Sequence, residues 1–402
     1  MTDRWLSILG IGEEGVAGMA PAARALLDQA EVLVGGVRHL GLSGNATAER
    51  MLWPSPLTLA IPTLLALRGR RVVVLASGDP FHWGIGATLS RHVAAAEIIC
   101  LPAPSAFSLS TARLAWPRQD CVTLSLHGRP LEGLVPHLQP GARILALSWD
   151  GGTPAKAAAL LTKLGFGPSR LIVLEALGGA RERIREARAD AFDLGEAHPL
   201  NTLAIEVEAG PQALSLPLVP GLPDGLFEQD GQLTKREIRA VTLSALRPLR
   251  GELLWDIGLG AGSIAIEWLL RDPSCRAIGV EENGGRAARA ARNALSLGVP
   301  QLEVVHGRAP AALSGLEPPQ AVFLGGGAAD DGVFEAAWAA LLPGGRLVAN
   351  AVSLETEALL AVWFRHYGGE LVRLSVDRIA GIGTMHGWRP AMPVTQWSVT
   401  KA

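Results

Sequence analysis

The chain has 402 residues, 49% apolar and 18% charged, which supplies enough material for more than one packed core and excludes disorder as its main state. A total of 36 basic against 38 acidic residues gives a net charge of −2 and excludes the basic excess of a general nucleic-acid binder. Three scattered cysteines, Cys100, Cys121 and Cys275, make neither a metal spacing nor a disulfide framework, and point to a reducing, cytoplasmic setting.

Met1–Arg4 opens directly into a strand predicted over Trp5–Gly12, without a separate signal-peptide apolar region. Further strands are predicted at Glu31–Gly35, Arg71–Ser77, Glu97–Ala103, Cys121–His127, Arg143–Trp149, Leu171–Leu177 and Thr202–Glu208. Helical patterns such as Pro21–Ala30 and Pro154–Leu164 lie between them. The most apolar stretch, Leu57–Leu67, contains Pro62 and falls short of the roughly 20 residues that span a bilayer, so no membrane segment is expected. The mean hydropathy of +0.26 is instead assigned to Ala-rich helices and to strands covered on both faces.

Residues 210–225 are rich in Pro and Gly and read as a linker between domains at 1–209 and 226–402. Beyond it, a helix over Thr234–Leu246 precedes strands at Leu253–Ile257, Ala277–Glu281, Leu302–Val305, Ala321–Leu324 and Arg346–Ala351. A late pair, Glu370–Ile379 and Val394–Thr400, is placed to close the sheet. The alternation predicts two α/β domains with mostly parallel sheets.

In the second half, Leu253–Ile257 runs into Gly258-Leu259-Gly260-Ala261-Gly262 and then a helix. Glycines allow a sharp turn and close approach of a ligand to the free N–H groups of a helix start. Glu281, at the end of the next strand, is placed to accept hydrogen bonds from ribose hydroxyls. The unit reads as a nucleoside-cofactor site. Thr234-x-x-Glu237 before an apolar helical run also reads as a capping box.

The Gly-x-Gly-x-Gly spacing, with Asp256 two residues ahead, resembles motif I of S-adenosylmethionine (SAM) methyltransferases. Asp230–Arg239, Gly307-Arg308-Ala309-Pro310 and Val322–Gly327 extend the resemblance to the CbiT family of decarboxylating precorrin methyltransferases, from about Gly225 onward. It implies that Thr234, Gly258, Gly260, Gly262, Glu281 and Ala309 contact SAM. Arg308 stands where an acidic residue is usual in that family.

The first half has a different pattern. Leu9-Gly10-Ile11-Gly12 follows the first strand, but no acid stands after an evident second strand, which disfavours a dinucleotide site. Leu75–Gly84, containing Gly78-Asp79-Pro80, together with Pro104–Ser108 and His127–Pro130, resembles the tetrapyrrole (class III) methyltransferases, specifically the CbiE family, over about residues 4–208. The resemblance implies that Gly78, Asp79, Ser105 and Ala106 line a SAM site between two subdomains, with Gly10 and Gly12 opening a substrate trough. Trp83 stands where that family commonly has Tyr. His82 and His127 are weaker candidates for general bases.

Taken together, the resemblances imply a two-subdomain class III methyltransferase fold followed by a Rossmann-like class I SAM methyltransferase fold. They imply two SAM sites, no metal, and a homo-oligomer acting on a tetrapyrrole in cobalamin synthesis. The implied reaction methylates precorrin-6B at carbons 5 and 15 and removes the ring C acetate carboxylate to give precorrin-8. Of the 36 basic residues 32 are Arg, a side chain suited to carboxylates, and Lys235, Arg236 and Arg239 are the candidates to hold the polycarboxylate and, with Asp79, to serve the chemistry. An NAD-dependent oxidoreductase and a non-catalytic tetrapyrrole-binding protein remain alternatives.

Overall fold

The computed structural model describes residues 4–44 and 47–402; Met1–Asp3, read above as leading into the first strand, lie outside the described residues. The chain divides into two compact units, Met1–Leu131 with His137–Leu214, and Glu132–Pro136 with Ser215–Ala402.

The first unit holds two five-stranded sheets. The first contains β1 (Leu6–Ile11), β2 (Val32–Gly35), β3 (Glu49–Leu52), β4 (Val72–Ser77) and β5 (Ile98–Leu101), all parallel, in the order β3-β2-β4-β1-β5. Alternate side chains feed two cores. Leu6, Ile8, Val72 and Val74 enter one, and Leu9, Leu33, Val73 and Leu75 the other. Burial on both faces explains why these strands read as continuous apolar runs.

The second sheet contains β6 (Cys121–Ser125), β7 (Arg143–Leu147), β8 (Arg170–Glu175), β9 (Arg183–Arg188) and β10 (Asn201–Glu206) in the order β6-β7-β10-β8-β9. Only β6 and β7 are parallel; the other three pairings are antiparallel, which corrects the expectation of mostly parallel sheets. For one of the three, the connection through Ala176 (φ 44°) and Gly178 (φ 82°) reverses the chain so that β9 runs back along β8. β9 was not predicted because its sequence, Arg-Ile-Arg-Glu-Ala-Arg, is that of an exposed edge, which charge protects from further pairing.

The second unit is built on a seven-stranded sheet. It comprises β11 (Leu253–Ile257), β12 (Arg276–Glu281), β13 (Glu303–His306), β14 (Ala321–Leu324), β15 (Arg346–Ala351), β16 (Glu370–Leu374) and, after an excursion, β19 (Val394–Thr400), in the order β13-β12-β11-β14-β15-β19-β16. The first five are parallel, and β19 inserts antiparallel between β15 and β16. The strand expected over Glu370–Ile379 is two strands. After Leu374 the chain leaves the sheet, and β17 (Asp377–Ile382) pairs with β18 (Met385–Pro390) as a separate hairpin.

The expected linker is largely ordered within the two units. Gly210 N–H donates to Gly165 O (2.9 Å) and Leu214 N–H to Leu164 O (3.0 Å), which holds residues 210–214 on the first unit. Leu216 and Leu222 are buried, and the Gly221 and Leu222 N–H groups donate to the Glu267 carboxylate at 2.7 and 2.9 Å, which fixes residues 216–222 in the second. Composition marks a proline-rich segment but does not reveal that its backbone donors are satisfied.

Candidate active site

A cavity of about 810 Å³ opens at the C-terminal ends of β11, β12, β14 and β15 in the second unit, a size suited to a small organic ligand. The Gly258–Gly262 loop forms one end. All three glycines have positive φ (76°, 57° and 80°), but their surroundings differ. A Cβ on Gly258 would lie 2.7 Å from Gly326 N, so this position lets the loops after β11 and β14 touch. A Cβ on Gly262 would meet Ala290 Cβ at 3.1 Å, so this one sets how closely the helices Ser263–Leu269 and Gly284–Ser296 pack. Gly260 meets nothing nearer than 3.8 Å and faces the cavity.

Two carboxylates stand behind this loop. Glu281, nearly buried, accepts from Gly260 N–H at 2.8 Å and Asn283 N–H at 3.0 Å. Asp256 is fully buried. Its Oδ2 accepts from Ala265 N–H at 3.1 Å, while its buried Oδ1 has no partner. Burial pushes the Asp256 carboxyl up to about 8; the Ala265 N–H opposes that shift and the charge of Glu281 adds to it. Gly231–Thr234 and Arg308–Ala309 complete this end. Nearby, hydrogen bonds from Arg289 and Arg286 hold the Asp230 carboxyl well below its usual range.

The other end of the cavity is mostly apolar, with Ile238, Val352, Leu374, Val376, Met392 and Val394 in its wall. Lys235, Glu237 and Arg378 bring charge there, and Arg378 pairs with Glu237.

The structure redistributes the cations expected to hold the substrate. Lys235 lines the cavity. Arg236 is exposed and is not among its lining residues. Arg239 is a correction: it is 0% exposed, its Nε donates to Glu267 Oε1 at 2.6 Å, its Nη1 reaches Asp224 at 3.0 Å and Thr234 O at 2.5 Å, and its Nη2 donates to Leu222 O. Its donors are used within the fold, where they fix the segment before the helix. The capping box is also corrected. The helix runs Arg236–Leu246 with Lys235 at its N-cap and no side-chain cap, because Arg239 draws the Thr234 carbonyl inward and Glu237 turns to Arg378. Thr234 itself lines the cavity, as does Ala309.

In the first unit the predicted residues converge at the C-terminal ends of β1, β4 and β5. A Cβ on Gly10 would lie 2.0 Å from Gly78 O and 2.4 Å from Ala103 N. Gly10 is therefore buried where backbones close up, rather than opening a trough. Gly78 (φ 53°) has room for no Cβ either, with Ser105 Cα at 2.8 Å. Beyond β1, the carboxylate of Glu14 fills the space beside Gly12. Asp79 Oδ1 accepts from Phe81 N–H at 2.9 Å, a local turn that leaves Oδ2 available. Ser105 is the N-cap of the helix Ala106–Leu114, accepting from Ser108 N–H at 3.2 Å. His82 stacks on Trp83 at 4.5 Å, and its Nδ1 lies 3.1 Å from an Arg118 nitrogen. Burial, followed by the charge of Arg118, lowers its pKa against the pull of Asp79. His127 lies against Trp149, 6.5 Å between ring centroids.

Sequence reading passed over Glu267 and Asn350. Each is a polar residue inside an otherwise apolar run, Ile264–Leu269 and Leu347–Ala351, and that contrast was the available signal.

A parallel sheet with a Gly-x-Gly-x-Gly turn after its first strand, an acid ending the second strand and a reversed strand inserted near its edge defines the second unit as a SAM-methyltransferase-type domain. Residues 225–401 match the precorrin methyltransferase domain family, and residues 6–193 match the tetrapyrrole (corrin/porphyrin) methylases. The chain is 56% identical over 398 residues to a precorrin-6Y C(5,15)-methyltransferase (decarboxylating) from Sinorhizobium sp, covering 99% of this chain and 96% of the relative. Two shorter relatives match parts of it. A probable cobalt-precorrin-6B C(15)-methyltransferase (decarboxylating) from Saccharolobus solfataricus is 40% identical, over 35% of this chain and 73% of the relative. A cobalt-precorrin-7 C(5)-methyltransferase from Salmonella typhimurium is 32% identical, over 44% of this chain and 88% of the relative. The chain belongs to the family of precorrin-6Y C(5,15)-methyltransferases (decarboxylating), SAM-dependent enzymes of cobalamin biosynthesis. Among the described residues no helix is long and apolar enough to cross a membrane.

Proposed function

We propose that this chain carries two SAM sites, one in each unit, and converts precorrin-6B to precorrin-8 by methylating carbons 5 and 15 and removing the ring C acetate carboxylate. The second unit performs the decarboxylation and the methylation at carbon 15; the first methylates carbon 5. The observation that carries this reading is the two-ended cavity of the second unit, with glycine turns and Glu281 at one end and an apolar wall with few charges at the other. The division of labour is supported by the different family matches of the two halves and by relatives named for one carbon each.

SAM supplies a methyl on a sulfonium that leaves as a neutral thioether. The chain has to align that methyl with an electron-rich carbon of the macrocycle and exclude water. Gly258, Gly260, Thr234 and Ala309 hold the nucleoside, and Glu281 takes the ribose hydroxyls; Gly262, expected to join them, is outside the cavity lining and serves the packing of two helices. Lys235 meets a substrate carboxylate at the mouth of the apolar end. In the first unit, Gly78, Ser105 and Ala106 shape the cofactor site, while the free oxygen of Asp79 faces the SAM cation or substrate.

The proposal includes a cytoplasmic setting, in keeping with three free cysteines. It also includes self-association, supported by the exposed apolar residues Ile379, Ile382, Met385 and Trp388 on the β17–β18 hairpin. Incubation with precorrin-6B and SAM, followed by mass spectrometry, tests the reaction. The product gains two methyl groups and loses one carbon dioxide. An unchanged substrate mass with folded protein, or calorimetric binding of NADH in place of S-adenosylhomocysteine, defeats the reading.

A further inference from the structure

Asn350, near the end of β15, is the polar interruption in the apolar part of the cavity wall, close to Ile238, Val352 and Val394 in the lining. Behind it lies a hydrogen-bonded group of three side chains from three elements. Asn350 Nδ2 donates to Thr242 Oγ1 (2.9 Å), and Gln396 Nε2 donates both to Asn350 Oδ1 (2.9 Å) and to Thr242 Oγ1 (3.0 Å). Thr242 Oγ1 in turn donates to Ile238 O (2.8 Å). Thr242 is 0% and Gln396 4% exposed, and Gln396 is the cross-strand neighbour of Asn350.

The direction of every bond in this group is fixed. The Thr242 hydroxyl proton is committed to Ile238 O, so its oxygen only accepts from the two amides. Both Gln396 N–H groups are spent. The Asn350 amide therefore cannot turn over, because that would set its NH2 against the Gln396 NH2 and its oxygen against an accepting oxygen. Three polar side chains in an otherwise apolar interior cost stability unless fully satisfied, and apolar residues would fill the same space. What the arrangement achieves is one carboxamide held in a single orientation at the cavity wall, with one N–H and one lone pair of Oδ1 left over.

We infer that this remaining N–H of Asn350 holds the substrate carboxylate that is lost, with Gln396 and Thr242 as positioning residues; the inference rests on the decarboxylation proposed above. In that step the bond between the acetate methylene and its carboxylate breaks and carbon dioxide leaves. The electron pair passes into the conjugated macrocycle, and a solvent proton completes the methyl group. A carboxylate about to lose its charge gains nothing from a cation that stabilises it in the ground state. A single neutral donor orients it, and the apolar wall removes its water.

The test uses the full chain with precorrin-6B and SAM, measuring carbon dioxide release, and uses calorimetry to measure binding of S-adenosylhomocysteine. Asn350→Ala lowers kcat for carbon dioxide release by about 10- to 100-fold, the range for losing the orientation of a reacting group, and leaves S-adenosylhomocysteine affinity unchanged. Asn350→Asp, nearly the same shape but able to place a negative charge beside the carboxylate, falls further than Asn350→Ala while S-adenosylhomocysteine affinity stays unchanged, whereas a packing role would lower both together. Gln396→Met gives an intermediate loss in kcat with KM unchanged. Undiminished carbon dioxide release in both Asn350 variants, or a loss that tracks S-adenosylhomocysteine affinity, overturns the inference. Failure of the unmodified enzyme to release carbon dioxide overturns instead the reaction proposed above.

Discussion

Arg239 and Glu267 form an ion pair from which water is wholly excluded, with Nε 2.6 Å from Oε1 and both side chains 0% exposed. Glu267 also accepts from the backbone of Gly221 and Leu222, and Arg239 also reaches Asp224 and the carbonyls of Leu222 and Thr234. One buried pair thus ties the segment entering the second unit to the helix Arg236–Leu246, and through Thr234 to the cavity.

Removing Arg239 leaves Glu267 buried and charged without a cation, and removing Glu267 leaves Arg239 only the part-exposed Asp224; breaking such a buried pair costs about 3–5 kcal/mol. Glu267→Ala and Arg239→Met should each lower the second unit's unfolding free energy by that amount in a urea titration. The double replacement by Met should recover part of the loss, because no buried charge is then orphaned. Equal destabilisation in the double variant would contradict this account.

The three loop glycines separate by their surroundings. Gly258→Ala forces a Cβ against Gly326 backbone at a positive φ, whereas Gly260→Ala faces open space and bears only the conformational cost of about 1–3 kcal/mol. Thermal unfolding should show the larger loss for Gly258→Ala. Calorimetry should show weaker S-adenosylhomocysteine binding for Gly260→Ala as well, since its added methyl projects toward the cavity.

Asp256 gives a pH signature. Its folded-state pKa of about 8 stands above the unfolded carboxyl value, so folding takes up a proton between them. The stability it contributes is present below about pH 4 and is lost as pH rises toward 8, at up to about 1.4 kcal/mol per unit. Asp256→Asn, neutral throughout, should gain on the unmodified protein over that window when both are unfolded by urea at a series of pH values. Parallel stability curves would show that Asp256 is ionised in the folded protein.

Asp79→Asn keeps the oxygen that accepts from Phe81 N–H and removes only the charge. The first unit should stay folded, and products analysed by mass should accumulate with one methyl gained and carbon dioxide lost. Two methyl groups added at the unmodified rate would exclude a role for this carboxylate at carbon 5.

The parallel sheets and the glycine turns were legible in the sequence because burial on both faces writes apolar runs, and because positive φ demands glycine. β9 was not, since an exposed edge strand carries its charges on both sides. Arg239 shows the limit for the site. A cation beside a cofactor loop reads the same whether it meets a substrate or a buried carboxylate, and Glu267, 28 residues away in sequence, contains the deciding fact. Asn350 stood out as a polar residue in an apolar run, but its orientation was not legible, since that depends on Thr242 and Gln396, which only the fold brings together.

The ordered proline-rich segment bears on how the two halves can be handled separately. Leu214 is hydrogen-bonded to one half, and Leu216 is buried in the other. An expression boundary set by glycine and proline content, after residue 225, would discard the two backbone donors that Glu267 accepts from. Splitting the gene at Ser215 keeps those two donors in the same fragment as Glu267.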